Sequence, residues 1–182
     1  MLRIRVHGRG GEGAVTFANV LCASATLDGK FGQSCMSPAI ERRGAPVEAY
    51  ARIGEKRIAE RGAILNPDIV VVLNSTLVNA PNIEAGMTDE GKVVANCADG
   101  CGLQHECISI DATAIALRIL KMPITNTTML GAVAAATGIV TLDSLDKGLR
   151  LILARFSEQK LALNFEAIRA GYEEVKRGQG IH

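Results

Sequence analysis

Tryptophan is absent from this 182-residue chain, and aromatic residues of every kind amount to only 3%. A stacking platform for single-stranded nucleic acid depends on such rings, so that class of function is excluded. No charge sign dominates either. The 20 Lys and Arg face 19 Asp and Glu, for a net charge of +1. That balance supplies no whole-molecule field to draw in nucleic acid or an anionic membrane. No run approaches the roughly 18 consecutive apolar residues of a membrane span. The opening segment Leu2-Arg3-Ile4-Arg5-Val6 alternates and lacks the continuous apolar core of a secretory leader. Cysteine is sparse, at five residues, and irregularly spaced. This excludes a disulfide framework and predicts a reducing, cytoplasmic setting with mostly free thiols.

What is present is the composition of a folded domain. Hydrophobic residues make up 48% and charged residues 21%, which excludes disorder. The charge is uneven along the chain: residues 1–61 carry 10 basic and 6 acidic side chains, residues 62–182 carry 10 and 13.

Periodicity gives the coarse organisation. Leu2, Ile4 and Val6 alternate with Arg3, Arg5 and His7, the pattern of a strand with one buried face. A helix over 14–28 follows, with Val15, Ala18, Cys22 and Ala25 at helical spacing and a stop at Asp28-Gly29. Residues 30–36 read as a second strand and residues 36–46 as a loop. Val47, Ala49, Ala51 and Ile53 mark a third strand, and Gly54-Glu55-Lys56 reads as a turn into a return strand near 57–60. Asp68–Asn74 is a continuous apolar run with polar ends, suited to a parallel strand buried on both faces. Further strands are expected at Lys92–Asn96 and Cys107–Ile110. Beyond Asp111 the pattern is helical, ending on the stripe Leu161, Phe165, Ile168, Tyr172 and Val175. The expectation is one α/β domain over residues 1–182. It should have three layers, a mixed and mostly parallel sheet, a helical C-terminal third and a frayed tail from about Gly178.

The first strand-to-helix turn, His7-Gly8-Arg9-Gly10-Gly11-Glu12-Gly13, satisfies G-x-G-x-x-G through Gly8, Gly10 and Gly13. Glycines allow close backbone approach, and the helix that follows presents unpaired N–H groups to an anion. A nicotinamide site would also need a carboxylate at the end of the second strand. Asp28 stands at the right count, 20 residues beyond Gly8, but before that strand; Ser34-Cys35-Met36-Ser37 supplies no acid. Simple helix–strand packing and a phosphate site shared with another chain are the competing readings. A second basic cluster, Glu41-Arg42-Arg43-Gly44-Ala45-Pro46, suits a phosphate or carboxylate clamp, or a solvated loop in which Arg42 pairs with Glu41.

Cys97-x3-Cys101-x3-His105-x-Cys107 has metal-ligand residue types. Its position at predicted strand ends with glycines between favours cysteines lining a buried sheet end over a metal site. With only three histidines, and no G-x-S-x-G elbow, no nucleophilic constellation stands out. His7 could touch a ligand or simply end its strand. Asn126 and Thr128 open a helix and could serve as caps.

Taken together, His7–Thr16, Glu41–Val47 and Asn126-Thr127-Thr128-Met129-Leu130-Gly131-Ala132 resemble the gamma subunit of 2-oxoacid:ferredoxin oxidoreductases, the pyruvate type above all. Pro67–Leu73 is similar to that family's central strand, and the resemblance runs from residue 2 to about residue 175. It implies one part of an anaerobic enzyme that decarboxylates a 2-oxoacid on thiamine diphosphate and passes electrons through [4Fe-4S] clusters to ferredoxin. The acyl group goes to coenzyme A. Thiamine diphosphate, Mg and the clusters are expected in partner subunits of alpha, beta and delta type, with none of them held by this chain alone. The gamma subunit is expected to help form the coenzyme A site, here through Gly8, Arg9, Gly10, Gly11, Gly13, Arg42, Arg43, Asn126 and Thr128. No catalytic residue and no metal ligand is implied. Glu12 departs from the family's usual Gln, and a carboxylate beside a phosphate is repelled. The polar segment Gln33–Pro38 replaces an aromatic-rich one, which leaves pyruvate, an aryl-glyoxylate or another oxoacid open. The alternatives are a stand-alone nucleotide-binding oxidoreductase of Rossmann type and an acyl-coenzyme A binding module.

Overall fold

The computed structural model describes residues 1–37 and 44–178. Its strands are β1 (Leu2–Arg9), β2 (Phe31–Met36), β3 (Pro46–Gly54), β4 (Ile69–Val72), β5 (Lys92–Asn96) and β6 (Glu106–Ile110). Its helices are α1 (Ala14–Leu27), α2 (Ala112–Leu120), α3 (Asn126–Thr137), α4 (Leu142–Ile152) and α5 (Glu158–Gly178). The strands form one sheet in the order β2-β3-β1-β4-β5-β6. β1, β4, β5 and β6 are parallel, and β3 is antiparallel to both β1 and β2.

All five helices contribute to a single core on one face of the sheet, around Ile4, Val6, Phe17, Leu21, Val71, Leu130 and Ile168. The opposite face holds a smaller core of Val70, Val72, Val93 and Ala95. No helix covers it. Leu77, Val78, Ile83 and Cys101 do so, from irregular segments that include only the short 3-10 turn Ser75–Leu77. The three expected layers are therefore helices, sheet and loops.

The helical layer is tight at two crossings. A Cβ placed on Gly131 of α3 would fall 1.8 Å from the Ile168 carbonyl oxygen, and one on Gly171 of α5 would fall 2.1 Å from that of Thr128. Only glycine lets these two backbones meet. Gly148 of α4 lies against Ser24 of α1 in the same way. At the same end of α1, Asp28 closes the joint with α4. Its carboxylate accepts from Thr141 N (2.9 Å), Thr141 Oγ1 (3.1 Å) and Ser144 Oγ (2.8 Å).

Two sequence expectations need correction. Residues 57–60 form no strand; β3 takes its second antiparallel partner from β2, in register Phe31↔Gly54 to Met36↔Ala49. After Gly54 the chain instead turns to cover Arg52, whose Nη2 donates to the carbonyls of Gly62 (3.0 Å) and Ala63 (3.3 Å). Alternation in β1 and β3 also predicts one wet face, yet Arg5, His7, Tyr50 and Arg52 are all at least nine-tenths buried. They stay there because each polar head has partners, as buried charge requires.

Candidate functional site

The chain leaves β1 for α1 on the helical side and leaves β4 for the loop side. Neighbouring parallel strands whose connections diverge leave a crevice beyond their carboxyl ends, where α/β proteins hold ligands. Here that crevice is built from Arg9, the glycine loop, Asn74, Thr76 and the start of α3.

The glycine loop is held from several sides. Gly10 N donates to Ala45 O (2.8 Å) and Gly44 N donates to Gly10 O (3.1 Å). Gly11 and Gly13 have φ of +94° and +84°, a left-handed conformation that favours glycine. Gly13 is also the N-cap of α1 and offers no side-chain cap, so the first-turn N–H groups of that helix keep their partial positive charge. α3 begins against it. A Cβ on Gly13 would lie 2.4 Å from Asn126 Nδ2, which donates to Gly13 O at 3.5 Å. Asn126 Oδ1 accepts from Thr127 N (2.9 Å), and Thr125 Oγ1 donates to Leu73 O (2.9 Å), tying the turn to the end of β4.

Glu12 turns inward. Its Oε2 accepts from Arg9 N (2.7 Å) and its Oε1 from Asn74 Nδ2. The inner edge of the loop therefore already holds a carboxylate. The outer edge carries the Arg9 guanidinium, which donates to Thr76 Oγ1 (2.8 Å) and Gly44 O (3.1 Å) at exposed positions. Gly8 and Gly10 are buried and Gly11 is exposed. Thr128 is buried at the α3–α5 crossing, away from solvent. Arg42 and Arg43 lie outside the described residues.

Beside the loop a cavity of about 410 Å³ is lined by His7, Gly8, Glu48, Leu77, Pro81 and Ile83, among others. A polar chain runs along its floor. Arg5 Nε donates to His7 Nε2 (3.0 Å), which places the His7 proton on Nδ1, 3.6 Å from Glu48 Oε1. Tyr50 donates to Glu48 Oε2 (2.5 Å). Arg5 Nη2 is fixed by the carbonyls of Ile83 and Ala85, each at 2.9 Å. Burial, reinforced by the Arg5 charge, pushes His7 down to about 4 against the opposing pull of Glu48. Burial and the hydrogen-bonded Glu48 carboxylate push the Tyr50 hydroxyl up to about 12.

The structure brings Arg9, Gly10, Gly11, Gly13 and Asn126 to one end of the sheet. It adds Asn74, Thr76, Arg5, Glu48 and Tyr50. Asn74 and Thr76 carried a signal: polar residues at the carboxyl end of a fully apolar strand sit where such crevices form. Asp28, the one acid at nicotinamide spacing, lies at the far end of α1, about 20 Å along the helix from Gly13. It is occupied there with Thr141 and Ser144.

The expectation of mostly free thiols is corrected at one pair. Cys101 and Cys107 are disulfide-bonded, while Cys22, Cys35 and Cys97 are free. The intervening His105 turns to Glu84, at 2.7 Å from Nδ1, and no metal-ligand cluster occurs among the described residues. Among the same residues, no helix is long and apolar enough to cross a membrane.

The family model described as pyruvate ferredoxin/flavodoxin oxidoreductase matches residues 3–174. Pyruvate synthase subunit PorC of Methanothermobacter thermautotrophicus is 44% identical over 178 residues, covering 97% of each chain. The pyruvate/ketoisovalerate oxidoreductases common subunit gamma of Pyrococcus furiosus is 42% identical, covering 97% of this chain and 98% of its own. Among solved structures, pyruvate oxidoreductase subunit PORC of Thermotoga maritima superposes with a TM-score of 0.83 at 36% identity, over 95% of this chain and 96% of that one.

Proposed function

The chain belongs to the pyruvate ferredoxin/flavodoxin oxidoreductase family, as a gamma-type subunit, and from that premise we propose that its glycine-loop crevice helps bind coenzyme A at a subunit interface. The complex it serves is an oxidoreductase acting on pyruvate or a related 2-oxoacid. The partners are the other subunits of that complex, of alpha, beta and delta type, with ferredoxin as the electron acceptor. Thiamine diphosphate, Mg and [4Fe-4S] clusters reside in those partners.

One observation carries the assignment within this chain: the loop that ends in the side-chain-free N-terminus of α1 also carries the Arg9 guanidinium, held toward solvent by Thr76 Oγ1 and Gly44 O. A cation next to unpaired helix N–H groups is the donor set that phosphate oxygens take. The fit is confined to the outer edge, because the Glu12 carboxylate occupies the inner edge and repels an anion there. Arg9 and Gly11 thus face the ligand, and Gly13 and Asn126 set the helix ends. Gly8, Gly10 and Thr128 support from beneath. Arg42 and Arg43 join the proposal on sequence grounds, as further phosphate partners on the adjoining segment.

In this reading the chain orients the phosphate-bearing end of the acyl acceptor and leaves bond-making to the partners. The test is Arg9→Ala in the reconstituted complex. The expected outcome is a KM for coenzyme A raised about tenfold, with unchanged complex assembly and oxoacid KM, since one charge-assisted hydrogen bond contributes about 1.5–3 kcal/mol. An unchanged KM for coenzyme A overturns the assignment. The Rossmann alternative has no carboxylate at the second strand's end to hold a ribose, and micromolar NAD binding to the isolated chain would revive it.

A further inference from the structure

We infer that Cys101 and Cys107 form a reversible thiol–disulfide latch that sets the mobility of the loop wall beside His7. The inference goes beyond the gamma-subunit reading and does not depend on where coenzyme A binds.

The disulfide joins Cys101, buried in the smaller core, to Cys107, half-buried in β6. The loop it closes is fastened to the next segment through one carboxylate. Glu84 accepts from Gln104 N (3.2 Å), His105 N (2.8 Å) and the His105 ring (2.7 Å). The residues on either side of Glu84 present the two carbonyls that hold the buried Arg5. Ile83 is also a wall of the 410 Å³ cavity. A continuous set of contacts thus runs from the disulfide, through Glu84, to the cavity floor. Turn hydrogen bonds and the packing of Leu77, Val78 and Ile83 hold the rest of this layer, whose only regular element among the described residues is one 3-10 turn.

The other three cysteines are free, so the pair is one bond in a thiol-bearing chain and not part of a framework. In a reducing setting such isolated disulfides act as redox elements. A small dithiol closes the cycle. Its thiolate attacks the more accessible Cys107 sulfur, breaks the S–S bond and expels the Cys101 thiolate, forming a mixed disulfide. The second thiol of the reagent then displaces Cys107. Two electrons pass to the protein, the reagent leaves as its own disulfide, and its two protons end on Cys101 and Cys107. A small-molecule disulfide drives the reverse.

The experiment uses the full-length chain, oxidised with glutathione disulfide or reduced with dithiothreitol. Differential alkylation in denaturant maps the thiols, and hydrogen exchange follows the backbone. The oxidised form should show Cys101 and Cys107 blocked. Reduction should speed exchange in residues 77–87 and 98–107 by roughly tenfold or more, because the closed loop regains its freedom, and leave α3 and α5 unchanged. The double variant C101S/C107S should show the fast pattern with or without reductant. Free Cys101 and Cys107 after oxidation would overturn the latch. So would unchanged exchange on reduction, or acceleration spread equally over the helical core. If the double variant does not fold, the wild-type comparison still decides.

Discussion

Asp28 shows how one side chain can be drawn from one role to another by its surroundings. Burial pushes its carboxyl up, but the Thr141 N–H and the Ser144 and Thr141 hydroxyls outweigh that and hold it below the usual carboxylate range. A lowered folded-state value adds stability above the unfolded carboxylate range, and that stability is lost as pH falls through the folded value. Asp28→Ala should therefore cost about 1–2 kcal/mol at neutral pH, with the difference from wild type closing in strong acid; thermal melts from pH 2 to 7 measure it. His7 works with the opposite charge. Its imidazole is held down near 4 by burial, with Arg5 adding to it. The unfolded chain binds that proton first, so the fold loses stability as pH drops from the ordinary histidine value near 6.5 toward 4. His7→Gln, which cannot ionise, should flatten the slope of melting temperature in that window, and an undiminished slope would assign it to another group. At Glu12 both oxygens are engaged by donors. Glu12→Gln should cost on the order of 1 kcal/mol, because an amide N–H₂ facing Asn74 Nδ2 sets donor against donor. Urea unfolding of the pure chain measures that loss.

At the scale of elements the α3–α5 crossing makes the sharpest prediction. Gly131→Ala and Gly171→Ala each place a methyl within about 2 Å of a backbone carbonyl oxygen. Neither backbone can yield without separating the helices, so each should cost about 3 kcal/mol or more, at the upper end of overpacking. An exposed control, Gly178→Ala, meets nothing within 4 Å and should be near neutral. Urea denaturation of the three variants is the measurement. These glycines illustrate why some of the structure is legible in sequence and some is not. The apolar run before Asn74, the alternation in β1 and β3, and the stripe from Leu161 to Val175 each report a local period, and each element appears where the period puts it. The glycine loop was legible for the same reason, lying between a strand and a helix. Pairing partners have no local period. β3 meets β2 across residues 37–45 and not a return strand at 57–60, because cover for Arg52 and register with Phe31–Met36 are settled by distant residues. Burial of Arg5 and Arg52 was hidden likewise: their partners are backbone carbonyls, which the sequence does not distinguish. The Cys101–Cys107 link depends on where β6 begins, so spacing alone did not reveal it.

For the molecule as a whole, the two sides of the sheet differ in kind. One is an interlocked stack of five helices in which backbones touch; the other is a short core under irregular chain. In mechanical terms this is a plate with a hard back and a compliant front. Asn126 belongs to the hard back, since α3 cannot slide along α5 past Gly131 and Gly171, and Gly13 is pinned against Asn126. The start of α1 is therefore set by touching backbones, while the segment bearing Leu77, Pro81 and Ile83 across from it rests on side-chain packing and turns. Whatever docks at this edge meets two jaws of different make, one of backbone against backbone and one of side chains under irregular chain, and the α1 axis belongs to the first.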